Sequence, residues 1–277
     1  MSATTLSSAA ATPPATAGAG PTQLRAIRSE LVKMRTLRST SLTLIAAVVG
    51  LAGLGLVICL VTNRNFGVGM SPEEITNFDP VGRSLGGVNI AQLAIGVLGV
   101  LLITGEYATG MVRSTFAAIP TRLPVLWAKA LLYALVTAAL MIPSAFVAFL
   151  GGQQLLGSHG TTLSSPHALR AVLGVGLYLT VIGVLAVAIG FLVRRTAGGI
   201  ASLFGLLLVL PGLGNLLATS WKTHVLPYLP SNAGSALYTL RPEDPATLAP
   251  WTGFGVLCLW TAAALLAAAV LLKRRDV

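Results

Sequence analysis

Apolar residues gather along this chain into six runs, at about 41–62, 85–104, 127–150, 171–193, 197–219 and 251–272, parted by short polar connections. Each run has the length of about 20 residues that a helix needs to cross ~30 Å of hydrocarbon. Lipid offers the backbone no hydrogen-bond partners, so a segment inside it must pair its own N–H and C=O groups, and a helix does so alone. The pattern predicts an all-α integral membrane protein with six transmembrane helices. Only the turn around Arg194 and Arg195 separates the fourth run from the fifth.

Two stretches precede the first run. Residues 1–21 contain only Met, Ser, Ala, Thr, Pro, Gly and one Leu, with no charge. They offer no apolar periodicity to bury and read as a disordered tail. Residues 22–39 form a basic amphipathic pattern. At 100° per residue, Leu24, Ile27, Leu31, Met34 and Leu37 fall on one arc, and Arg25, Arg28, Lys33 and Arg35 on the opposite one, with Glu30 and Arg38 intruding on the apolar stripe. Such a helix lies in a membrane interface. It serves either as a topology anchor or as a surface that also touches a partner; the pattern leaves both open. A secretory signal is not expected, because the first apolar run starts near Ser41 and has spanning length.

Composition sharpens the membrane reading. Hydrophobic residues make up 55% of the 277 and charged residues only 9%, too few to clothe a water-soluble surface. The net charge of +10 does not point to nucleic acid, because the basic residues sit beside apolar runs. Counted on alternate sides of the six runs, thirteen Lys and Arg fall with the termini, the second connection and the Arg194–Arg195 turn, against five on the other side. The positive-inside rule then places both termini in the cytoplasm. Gly96, Gly99, Gly174, Gly176, Gly183 and Gly190 are small positions where helices can approach closely. Pro143 is expected to kink the third run, and Pro211 with Gly212 and Gly214 to loosen the fifth. These are hinges of a moving transporter or ordinary membrane-helix composition. Cys59 and Cys258 lie in apolar runs and the three His in loops, without metal-type spacing.

The connection between the second and third runs carries the most distinctive residues: Glu106, Gly110, Met111, Arg113, Thr115, Phe116, Pro120, Arg122 and Lys129. A short helix around 112–118, stopped by Pro120, is expected within it. Glu106 falls where the second run reaches the headgroups, either as a solvated helix end or facing a nearby Arg. This stretch resembles the permease subunits of type-2 ATP-binding-cassette exporters. So do the run Arg28, Glu30, Lys33, Arg35 and Arg38 before the first span, and Tyr228-Leu229-Pro230-Ser231-Asn232-Ala233-Gly234 in the last connection. With the six-run layout, the resemblance covers everything after residue 21.

The resemblance implies a coupling helix in the second connection that docks on a cytoplasmic nucleotide-binding ATPase subunit, and an N-terminal interface helix. It further implies a permease dimer, with a second copy or a sister permease, in the plasma membrane of a bacterial cell. The expectation is a non-enzymatic chain without a cofactor of its own, since it has no Gly-Lys pair from which to build a phosphate-cradling loop; ATP belongs to the partner. Membrane lipid is the other partner.

Two alternatives stay open. Ion-coupled carriers place ionisable groups at membrane depth, and none is expected inside the runs when Lys129 is counted with the preceding connection. A non-transporting membrane scaffold shares the same composition. An intramembrane hydrolase is disfavoured, as no His or Asp lies within a run.

Overall fold

The computed structural model describes residues 38–274 except 69, 119–121, 215, 217–218 and 242–245. The tail at 1–21 and nearly all of the amphipathic pattern at 22–39 lie outside them, so Arg28, Glu30, Lys33 and Arg35 have no structural account; Arg38 only opens the first helix. The described residues form helices and turns with no strands.

Six helices among them are long and apolar enough to cross a membrane, the mark of a multi-pass membrane protein. They are span 1 (Thr40–Arg64), span 2 (Val88–Ala108), span 3 (Leu123–His159, its last three residues a 3-10 turn), span 4 (Ala168–Val193), span 5 (Thr196–Gly214) and span 6 (Pro250–Arg274). The expected runs match these spans in number and order. Their ends differ where polarity misleads. Span 3 begins at Leu123, four residues before the expected 127, and Lys129 is buried within it. Pro143 stands inside this helix without interrupting it. Span 5 passes through a π-helical segment, Gly205–Val209, and is described as far as Gly214; residues 215, 217 and 218 of the expected run lie outside the described residues.

Span 4 is the axis of the bundle. In its apolar window 72% is buried, against 28% in spans 1 and 5 and 22% in span 6, so the last three form the flanks. Spans 2 and 3 pack directly against it. Apolar side chains cannot drive this association inside lipid; close backbone approach and internal hydrogen bonds must. All six glycines singled out in the sequence abut another element. A Cβ on Gly99 would stand 2.9 Å from the Gly183 carbonyl oxygen, and one on Gly183 would stand 2.8 Å from the Tyr133 ring. Tyr133 fills the seam between spans 2, 3 and 4, and its hydroxyl donates to the Ile95 carbonyl at 2.6 Å.

The connection between spans 1 and 2 holds two short helices, Pro72–Thr76 and Pro80–Ser84. Each has Pro in its first turn and a polar cap, Ser71 for one and Asp79 for the other. Gly87 then brings the chain against span 1 so tightly that a Cβ there would meet the Gly50 and Leu51 carbonyl oxygens at 2.3 Å. These carbonyls belong to a second π-helical segment, Val49–Gly53.

Candidate functional site

One end of the bundle carries the connection from span 2 to span 3, the turn from span 4 to span 5, and the close of span 6. Arg122, Arg194, Arg195, Lys273 and Arg274 lie there, and it is called the basic end below. Its centre is the last turn of span 2. Three residues of that turn grip three different neighbours.

Glu106 reaches span 3. Its Oε1 accepts from Lys129 Nζ at 2.8 Å, with Lys129 only 1% exposed and Glu106 12%. The sequence reading placed no ionisable group inside a span; this pair corrects it. A buried cation needs a partnered anion, and Glu106 supplies one to a lysine of the next helix. Thr104 reaches span 5, its hydroxyl accepting from Thr196 at 3.0 Å while donating to the Val100 carbonyl. Tyr107 reaches the end of span 4, where the Arg194 guanidinium lies over its ring at 5.3 Å. Arg194 caps span 4 in the left-handed region (φ 59°), with its N–H on the Gly190 carbonyl.

From this turn the chain passes through Gly110, whose φ of 72° suits glycine, into the helix Met111–Ala118. The helix expected around 112–118 is therefore present. Val112 and Phe116, four residues apart, are buried against the bundle, whereas Met111 and Ala117 are exposed. Thr115 is half-buried and its hydroxyl donates to the Met111 carbonyl. Arg113 lies on this helix with its side chain outside the described residues, as is Pro120. Arg122 stacks over Phe116 at 5.7 Å and reaches the Leu272 carbonyl of span 6 at 3.4 Å. The structure thus brings Glu106, Gly110, Met111, Thr115, Phe116 and Arg122 together. It adds Thr104, Tyr107, Arg194 and Thr196, which the sequence reading did not single out as site residues. Tyr107 beside Glu106, at the end of a run and near a later arginine pair, was the available signal.

The stretch at 228–234 lies at the opposite end. It folds into a 3-10 turn, Leu226–Tyr228, and a short helix, Pro230–Ser235, wedged between spans 4 and 6. A Cβ on Gly234 would meet the Tyr178 ring at 2.5 Å, and one on Gly253 would meet the Ala233 carbonyl oxygen at 2.3 Å. Asn232 ties the turn to the helix by donating to the Leu226 carbonyl at 3.0 Å.

No protein-family model matches the sequence, and a search of curated proteins found no match.

Proposed function

We propose that this chain is the membrane permease of an ATP-driven exporter, working as a pair of permeases with a separate ATPase docked on its basic end. In this reading the basic end faces the cytoplasm, in keeping with the excess of Lys and Arg there. The observation that carries the proposal is the construction around span 2. The helix Met111–Ala118 buries one face through Val112 and Phe116 and leaves Met111 and Ala117 outward. It joins, through two residues, the turn whose Thr104, Glu106 and Tyr107 hold spans 5, 3 and 4. A push on the outward face would reach three spans within one helical turn. That is the mechanical requirement of a coupling element. The resemblance of these residues to type-2 exporter permeases supports the same role, and the lack of a Gly-Lys pair for a phosphate-cradling loop is in keeping with ATP acting on a partner.

Co-purification tests it. The full chain extracted from its own membrane should retain a nucleotide-binding subunit, and replacing Arg113 by Ala should release that subunit while the permease remains folded. A chain that keeps no ATPase under any mild extraction would defeat the proposal.

A second reading has one specific observation behind it. The Lys129–Glu106 pair is an ionisable couple within helices, as ion-coupled carriers have. Collapse of transport in vesicles on adding a protonophore, with ATP still supplied, would favour that carrier.

A further inference from the structure

In the half of the bundle away from the basic end, a cavity of about 220 Å³ lies between spans 2, 4 and 5 and the short helix Pro230–Ser235. Gln92 is the fifth residue of span 2 and Tyr178 the eleventh of span 4, so the cavity sits roughly 6–15 Å inside the helix ends. That depth falls among apolar residues, yet the lining is polar. Asn89, Gln92, Tyr178, Ser231 and Tyr238 all face it, and none of its lining residues is charged.

Their hydrogen bonding is incomplete. The Tyr178 hydroxyl donates to the Gln92 side-chain oxygen. This leaves the Gln92 amide nitrogen, on a residue only 3% exposed, without a hydrogen bond among the described residues. The buried Ser231 hydroxyl has no partner either. Polar groups held in apolar surroundings at such a cost mark a place where something else completes them. The remaining wall is apolar. Leu207 and Pro211 are buried, and Leu208 between them is exposed on the flank of span 5, where the helix is π-helical. π-helical turns concentrate at functional sites.

We propose that this cavity binds the uncharged, oxygen-bearing head of an amphiphile, whose tail lies along span 5 beside Leu208. The Gln92 amide donates to carbonyl or hydroxyl oxygens of the head, and the Ser231 and Tyr238 hydroxyls donate or accept. A charged head is excluded, because no lining residue could neutralise it in this setting. The site does not depend on the energy source, so it stands or falls separately from the ATP-driven reading.

Native mass spectrometry of the full chain tests it, in phosphatidylcholine nanodiscs doped with monooleoylglycerol or, separately, with phosphatidylglycerol. Monooleoylglycerol should be retained by the unmodified chain. Ser231→Val and Gln92→Leu should each lower retention about three- to tenfold, the worth of one hydrogen bond, and free glycerol should not compete. Phosphatidylglycerol adducts should not change with either variant. Should Gln92→Leu fail to fold, Ser231→Val on the short helix still gives the answer, with folding checked by its thermal transition. The proposal is overturned if no monooleoylglycerol is retained or if the folded variants retain as much as the parent. Competition by free glycerol, or a parallel fall in phosphatidylglycerol, overturns it equally.

Discussion

Lys129, the seventh residue of span 3, directs its ammonium at Glu106 in the last turn of span 2, 2.8 Å away and almost sealed from solvent. The pair joins two spans at the point from which the helix Met111–Ala118 departs. Removing one member takes from the other its buried partner at 2.8 Å, and breaking such a pair costs about 3 kcal/mol or more, whereas removing both can cost far less. Lys129→Met and Glu106→Gln should therefore each lower the thermal transition in detergent strongly, with the double variant recovering much of the loss. Additive losses in that double-mutant cycle would show that the two groups act independently.

Packing of the central seam gives a second prediction. Gly183→Ala sets a methyl 2.8 Å from the Tyr133 ring in a fully buried site, and such overpacking costs about 1–3 kcal/mol. Gly255→Ala in span 6 has nothing within 4 Å. It should be neutral or gain up to about 1 kcal/mol from helix propensity. The two thermal transitions should move in opposite directions, or the second not at all.

Arg194 combines an unfavourable backbone with a favourable side chain, and two variants separate them. Its φ of 59° costs a residue bearing a Cβ about 1–2 kcal/mol. Its stacking on Tyr107 returns about 0.5–1 kcal/mol. Arg194→Met keeps the cost and loses the contact, so it should destabilise. Arg194→Gly loses both and should leave the thermal transition unchanged or higher.

At the opposite end, the Ser71 backbone N–H and then its hydroxyl hold the Glu74 carboxyl below its usual value of 4.5. A carboxyl depressed in the folded state contributes stability that is complete above its unfolded value and is lost as pH falls through the folded one. Amide exchange at the start of the Pro72–Thr76 helix should therefore speed up as pH drops below about 4.5, once corrected for intrinsic rates. Glu74→Gln should abolish that pH dependence.

The spans were legible because crossing lipid requires a long apolar run, a signal few soluble folds produce. The helix Met111–Ala118 was legible too, from its place between Gly110 and Pro120. What escaped was everything decided by contact across the bundle. Lys129 reads as the edge of a polar connection until its partner Glu106 is seen 23 residues earlier. Both π-helical segments lie in unbroken apolar sequence, with no residue to announce them. The polar cavity draws Gln92, Tyr178 and Ser231 from three distant stretches, and each alone looks like an ordinary polar residue within a membrane helix or loop.

The most direct test of the account places a photoactivatable cross-linker at Met111 or Ala117, on the outward face of the short helix. Irradiation of native membranes should join the full chain to a nucleotide-binding ATPase from both positions, and not from Val68 in the connection between spans 1 and 2. Cross-linking to the ATPase from Val68 alone, or from none of the three while transport continues, would contradict a coupling role for the basic end.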